Sequence, residues 1–213
     1  SGGSAKKACD DVPEMHPDAG YRRRLSTRKD RYPMNNLVLC GFMGCGKTTV
    51  GRLLAARTGR RFVDTDALIE EEAGMAVEDI FKRFGEEDFR QRERQACSRL
   101  AEKENLVIAT GGGALTFPEN TAVLRRSGVI ILLDVSPETV LDRLKGDRTR
   151  PLLQREDKEM AVRELMARRL PQYYEAASLF IDGNQAPEAV AGDILLALGN
   201  EQGIPDRPLP KKV

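Results

Sequence analysis

The sequence predicts an α/β protein in which helices cover both faces of one parallel, five-stranded sheet. Short runs rich in Val, Leu and Ile have the composition of strands buried on both faces. They span residues 37–40, 61–65, 105–110, 128–134 and 178–182. Helical patterns separate them, at 47–58, 86–104, 136–145, 157–177 and 187–199. Strands and helices that alternate in this way are typical of a parallel sheet with helices on both sides.

Composition places the chain among ordinary globular proteins and excludes several functions. Its 213 residues are enough for one domain with a proper core. The net charge of +1 argues against a surface devoted to nucleic acid. No run approaches the roughly 18 apolar residues of a membrane span. The four cysteines form no CxxC pair and only one histidine is present, so a zinc site is not expected.

The two ends of the chain differ from its centre. Residues 1–34 lack apolar periodicity. They are predicted to be disordered, or to be an extension that does not belong to the natural protein. A targeting segment is the alternative for this Arg-rich stretch, although its acidic residues are unusual for one. We expect the domain at 35–202 and a proline-containing tail at 203–213.

The stretch Gly41–Thr48, GFMGCGKT, fits the phosphate-binding pattern GxxxxGK[ST], with a strand before it and a helix after it. Its glycines let successive backbone N–H groups turn inward, where they bind phosphate together with the positive end of the helix. Lys47 is expected to reach the β- and γ-phosphates of ATP, and the Thr48 hydroxyl to ligate Mg²⁺. The other predicted nucleotide contacts in the loop are Gly44, Cys45, Gly46 and Thr49.

A phosphate-binding loop does not by itself identify the phosphate acceptor. Small size favours a minimal kinase, and the absence of an N-K-x-D motif disfavours a GTPase. Asp64 and Asp66 close the second predicted strand, where an i, i+2 spacing would point both carboxylates the same way. One could then serve Mg²⁺ through water and the other a substrate hydroxyl. A helix N-cap is an equally open interpretation of these two residues.

Three further segments suggest a binding site for an anionic acceptor. Gly85 separates two helical stretches, and on the second Arg90 and Glu93 are spaced to pair, either as a carboxylate-binding fork or as a solvated pair. Gly111–Gly113 follow the third strand and allow close backbone approach to a ligand. The basic segment 145–153 suits a mobile lid, or a charged surface loop. We expect Arg92 and Arg148 to be solvated.

Taken together, residues 35–200 resemble the shikimate kinase family. The family's motifs occur in order as Gly41–Thr48, Asp64–Asp66, Gly85–Glu93, Gly111–Gly113, Arg150–Leu153 and Arg169–Tyr173. The resemblance implies ATP- and Mg²⁺-dependent phosphorylation of the 3-hydroxyl of shikimate, a step of aromatic amino-acid biosynthesis. It also implies the nucleoside-monophosphate-kinase-like fold, with strand order 2-3-1-4-5 and a lid at about 143–158.

The resemblance further implies roles for the acceptor-side residues. Asp66 would hold the substrate hydroxyls, as base or orienting group. Arg90 and Arg169 would clamp the carboxylate, and Gly112 would contact the substrate through its backbone. Glu93 would brace Arg90.

On the nucleotide side, the resemblance implies that Asp64 meets Mg²⁺ through water. Arg143 would stack on adenine, and the lid residue Arg150 would approach the transferring phosphate. The predicted catalytic residues are Lys47, Asp66 and Arg150. Cys45 occupies a loop position where Ala or Ser is more familiar. Two explanations for a cysteine there stay open: an oxidisable thiol with a regulatory role, and simple tolerance of any small side chain.

Two other functions remain as alternatives. One is a kinase of the same fold with another acceptor, such as gluconate, and the other is a catalytically silent homologue that binds a partner. We expect shikimate and ATP as the ligands, no nucleic-acid or membrane partner, and a monomer in the cytoplasm. The scattered thiols fit such a reducing compartment, and Cys40 and Cys97 are expected in the core.

Overall fold

The structure is a computed structural model that describes residues 36–145 and 157–199. The strands are β1 (Asn36–Cys40), β2 (Arg61–Asp64), β3 (Leu106–Ala109), β4 (Gly128–Asp134) and β5 (Leu179–Asp182). The helices are α1 (Lys47–Thr58), α2 (Thr65–Ala73), α3 (Val77–Ala101), α4 (Pro118–Ser127), α5 (Pro137–Arg143), α6 (Lys158–Ala176) and α7 (Pro187–Gly199). The predicted N-terminal extension, the tail and lid residues Arg148, Arg150 and Leu153 lie outside the described residues.

The five strands form one parallel sheet in the order β2-β3-β1-β4-β5, which confirms the predicted fold class and strand order. The apolar side chains of β1, β3 and β4 are buried, as expected for central strands covered on both faces. Asn36 is a buried polar residue at the start of β1. Its side chain accepts from the Leu106 N–H at 2.9 Å and donates to the Lys103 carbonyl at 2.7 Å, which ties β3 to β1.

Two helices of the structure are absent from the sequence prediction. Helix α2 starts immediately after β2, with Asp64 as its N-cap, and ends at Gly74 in the left-handed conformation, φ 65°. Helix α4 begins with Pro118 at its first turn, a position where the missing N–H costs nothing. Both are short helices, of 9 and 10 residues.

Helix α3 contains the predicted break at Gly85, whose φ of 82° and ψ of 176° are not helical. Two helical stretches therefore meet there, as the sequence predicted. Ile69 of α2 packs with Ile80, Phe89 and Ala96 of α3 in a small cluster separate from the main core of the sheet. This cluster fixes the part of α3 that carries Arg90 and Glu93.

A search of residues 36–145 and 157–199 finds no helix that is both long and apolar enough to span a membrane.

Candidate active site

A cleft of about 510 Å³ opens where the central strands end at their carboxyl termini. In parallel α/β sheets this edge is where ligands bind. The predicted site residues that line the cleft are Gly44, Cys45, Gly46, Lys47, Thr48, Thr49, Asp64, Asp66, Arg90, Gly112, Arg143 and Arg169. The remaining predicted site residue, Arg150, lies outside the described residues.

The loop after β1 has the backbone shape of a phosphate cradle. Gly44 and Gly46 adopt φ of 73° and 98°, which side chains rarely allow. Helix α1 starts directly after Gly46, so its N-terminal N–H groups face the same cleft. The Lys47 amino group donates to the carbonyls of Gly41 and Phe42 at 2.8 and 2.9 Å, which places its charge over the loop.

Thr48 and Asp64 meet at the floor of the cleft. The Thr48 hydroxyl donates to Asp64 Oδ2 at 2.9 Å, while Asp64 Oδ1 accepts from the N–H of Asp66 at 3.0 Å. Of the two interpretations left open for these residues, the structure shows the helix N-cap and not a shared strand face. Asp64 ends β2 and caps α2, whereas Asp66 lies in the first helical turn, because a carboxylate at position 64 satisfies free N–H groups of the helix.

The hydroxyl and carboxylate of Thr48 and Asp64 also suit magnesium. Mg²⁺ prefers hard oxygen ligands and is usually held by one or two protein groups, several waters and substrate phosphates. The two oxygens lie beside the phosphate loop, so they fit the Mg²⁺ ion expected there from the sequence.

Arg90 is held on several sides by α3 and its neighbours. Its Nη1 donates to Glu93 at 2.9 Å, and its Nε and Nη2 donate to Glu86 at 3.2 and 3.1 Å. The guanidinium carbon lies 5.4 and 5.1 Å from the ring centres of Phe89 and Phe117. The structure thus shows the Arg90–Glu93 pair. The contacts with Glu86 and Phe117 are additional, and sequence spacing gave no sign of Phe117.

Glu93 is a buried carboxylate beside the acceptor side of the cleft. Burial raises its pKa, and the positive charge of Arg90 opposes that shift. Its Oε1 is buried and accepts no hydrogen bond from the residues that the structure describes. A methyl group added at Gly111 would collide with the Asp66 carboxylate and lie 3.1 Å from Glu93 Oε1. Glycine at position 111 therefore leaves room for both acidic side chains.

The second and third glycines of the same turn lie against the two arginines. A methyl group at Gly112 would be 3.6 Å from Arg169 Nη1, and one at Gly113 would be 2.6 Å from Arg90 Nη1. The backbone of the turn thus runs between the guanidinium groups predicted to clamp one carboxylate. Gly112 also accepts a hydrogen bond from the Tyr173 hydroxyl.

Comparison with known proteins identifies this arrangement. A family model described as "SKI: Shikimate kinase" matches residues 43–199. The chain belongs to the shikimate kinase family.

Individual relatives in this family cover most of the chain. The shikimate kinase of Synechococcus sp. strain CC9605 is 46% identical over 173 residues, 81% of this chain and 86% of that protein. The shikimate kinase of Symbiobacterium thermophilum is 53% identical over 148 residues, 68% of this chain and 85% of that protein. The solved shikimate kinase of Acinetobacter baumannii in complex with shikimate matches with a TM-score of 0.75 and 41% identity. It covers 80% of this chain and 97% of its own.

In this shikimate kinase family member, Arg143 has structural partners that the sequence did not indicate. Its guanidinium donates to the carbonyl of Cys45 at 3.2 Å, and to those of Gly183 and Gln185 at 2.8 and 3.1 Å. It thus joins the phosphate loop to the segment between β5 and α7. An arginine held by these carbonyls at the rim of the cleft presents the flat face of its cationic guanidinium.

The cysteines and Arg92 complete the comparison with the sequence predictions. Cys40 and Cys97 are buried in the core as predicted, and burial raises the pKa of Cys97 to about 12. Cys45 is also buried, and its sulfur lies 3.5 Å from Lys47 Nζ. Arg92 lies outside the cleft and is partly exposed, as expected for a residue without a role in the site. Its Nε also donates to Asp88 at 2.6 Å, and the Phe84 ring lies 5.6 Å from its guanidinium.

Proposed function

We propose how the residues of this cleft carry out the family's reaction, transfer of the ATP γ-phosphate to the 3-hydroxyl of shikimate. A phosphate loop, a carboxylate and two arginines converge on one cleft, and this convergence carries the assignment. The loop suits the phosphates of ATP, and the other groups suit an acceptor with a carboxylate and several hydroxyls.

The nucleotide half of the site binds and neutralises phosphate. The N–H groups at the start of α1 and the Lys47 ammonium contact the β- and γ-phosphate oxygens. Thr48 would hold Mg²⁺ directly and Asp64 would hold it through water. The ion would supply positive charge that offsets the negative charge of the phosphates. Arg143 supports the loop through Cys45 and faces the adenine.

The acceptor half positions one hydroxyl for in-line attack. Arg90 and Arg169 clamp the carboxylate of shikimate, and the backbone of Gly112 contacts the ring substituents. Asp66 accepts the hydrogen bond of the 3-hydroxyl and takes its proton as the new oxygen–phosphorus bond forms. The bond between the γ-phosphorus and the β–γ bridging oxygen breaks, and ADP leaves with that oxygen's charge. Because the transition state is loose, positioning and cationic groups supply most of the catalysis.

Arg150 belongs to the same scheme as a lid residue. The sequence expectation is that it approaches the transferring phosphate from the segment between α5 and α6. Phosphoryl-transfer enzymes commonly place an arginine there to stabilise charge on the equatorial oxygens. Together with Lys47 and Asp66, Arg150 completes the proposed catalytic set.

Acceptor specificity is tested by an ADP-release assay over a panel of acids and polyols. The purified protein, with ATP and Mg²⁺, should turn over shikimate and leave gluconate unphosphorylated. A matched reaction without divalent cation should show little turnover. Faster turnover of gluconate, or tight binding of ATP and shikimate without any turnover, would overturn the assignment and favour one of the two alternatives.

We also propose that the enzyme is a cytoplasmic monomer. One chain supplies all of the predicted site residues that the structure describes, which supports function without a partner subunit. Cys40, Cys45 and Cys97 are unpaired and buried, which suits a reducing compartment. Light scattering during size-exclusion chromatography should give the mass of one chain, and a dimer mass would contradict the proposal.

A further inference from the structure

We propose that Tyr173 is a positioning residue for the acceptor site, because its hydroxyl holds the backbone of Gly112 beside Arg169. Through these two groups it sets the affinity for the acceptor without touching it. The inference rests on the roles proposed above for Arg169 and Gly112. Tyr173 closes the last of the sequence motifs, and the proposed mechanism gives it no part.

The fold brings two distant parts of the chain together, helix α6 and the turn after β3. Arg169 and Tyr173 are spaced i, i+4 on α6, so their side chains share one face of the helix. Tyr173 is 2% exposed, and its hydroxyl donates to the carbonyl of Gly112, which lies 61 residues away in the turn after β3. A methyl group built at Gly112 would lie 3.6 Å from Arg169 Nη1, so the Arg169 guanidinium lies beside the same peptide group.

Hydrogen-bond chemistry fixes the direction of this contact. A backbone carbonyl can only accept, so the tyrosine hydroxyl donates to Gly112. Phenylalanine has the same ring but cannot donate. Its introduction would leave the Gly112 carbonyl without this partner.

Holding the Gly112 carbonyl also holds the turn between the two arginines. The peptide group is planar, so a carbonyl fixed towards Tyr173 turns the N–H of Gly113 in the opposite direction. Gly113 packs directly against the Arg90 guanidinium. A rotation of this peptide would therefore change the backbone next to both halves of the carboxylate clamp. Displacements of about 1 Å in such groups are enough to impair a binding site.

The hydroxyl remains a donor under ordinary conditions. Burial raises the pKa of Tyr173, and the positive charge of Arg169 opposes this only in part. The phenol therefore stays neutral over the pH range in which kinases are assayed. Its contribution to acceptor binding should accordingly not vary with pH there.

The test compares Tyr173→Phe with Tyr174→Phe. Tyr174 is the next residue of α6, and its hydroxyl donates to Asp134 Oδ2 at 2.6 Å, outside the cleft. We expect Tyr173→Phe to raise the KM for shikimate roughly five- to thirtyfold, the effect of losing a buried hydrogen bond. The KM for ATP should stay within twofold in both variants, and Tyr174→Phe should leave the KM for shikimate unchanged.

The kinetic readout separates positioning from a loss of folded protein. Partial unfolding lowers the concentration of active enzyme and hence the apparent kcat, but it does not change KM. An unchanged KM for shikimate in Tyr173→Phe would overturn the inference, whatever happens to kcat or to the melting temperature. A uniform rise in the KM values for shikimate and ATP would also overturn it.

Arg169→Lys, assayed in parallel, distinguishes failure of this inference from failure of the proposed function. If that variant raises the KM for shikimate while Tyr173→Phe does not, the clamp stands and the role of Tyr173 is refuted. If neither variant changes it, the assignment of Arg169 itself is wrong, and the inference falls with it.

Discussion

Replacing Arg90 by lysine keeps the positive charge but removes the planar fork. The arginine is suited to a bidentate contact because three of its nitrogens donate in fixed directions to Glu93 and Glu86. Two aromatic rings, those of Phe89 and Phe117, flank the guanidinium. A lysine ammonium is a point charge on a flexible stem, so it cannot reproduce this fixed orientation.

The expected magnitude follows from the hydrogen bond that the substitution removes. A bidentate clamp that is reduced to a single hydrogen bond loses one bond to a charged group, about 1.5–3 kcal/mol. That corresponds to roughly a ten- to hundredfold rise in the KM for shikimate. The kcat should fall much less, because the carboxylate lies away from the transferring phosphate.

Arg92→Lys is the matched control for this measurement. Arg92 lies on the same helix, pairs with Asp88 and packs on Phe84, so it shares the chemistry of Arg90 but lies outside the cleft. A coupled ADP-release assay at saturating ATP should show a normal KM for shikimate in this variant. Equal KM values in Arg90→Lys and the wild type would refute the clamp assignment.

Two further predictions concern the groups beside the clamp. Gly112→Ala should fold, because its methyl group would lie in ordinary contact with Arg169, but it should raise the KM for shikimate roughly tenfold by crowding the cleft. The control Gly192→Ala, on α7 with open space around it, should leave KM unchanged; equal KM values in both variants would argue against crowding. Burial raises the pKa of Glu93, so above its ordinary value of 4.5 the folded state keeps a proton that the unfolded state loses. Urea titrations should therefore show that the unfolding free energy of the wild type falls, relative to that of Glu93→Gln, as pH rises from 4.5 through the raised pKa. A difference between the two proteins that does not depend on pH would contradict this prediction.

The features that the sequence predicted best are those with local causes. The phosphate loop is one continuous stretch with its own strand and helix, and the buried strands have a composition that few other elements share. Helix α2 was missed although Asp64 and Gly74 mark its ends, because the aspartates fit a strand end equally well. A prediction that weighed the two end signals together would have found this helix.

The features that the sequence could not predict depend on residues far apart in the chain. Phe117 meets Arg90 only because the turn after β3 folds back onto α3. The hydrogen bond of Tyr173 with Gly112 spans 61 residues, and that of Arg143 with Cys45 spans 98. The i, i+4 spacing to Arg169 was the one local sign that Tyr173 belongs to the site.

In the proposed mechanism, Asp66 directs the acceptor hydroxyl at the transferring phosphate. The most direct test is the kcat of Asp66→Asn with shikimate, since asparagine keeps the shape of the side chain but cannot take the proton. We predict a fall of about 10²–10⁴-fold with an unchanged KM for ATP, while Asp88→Asn, outside the cleft, keeps normal turnover. Turnover of Asp66→Asn within a few fold of the wild type would contradict the claim.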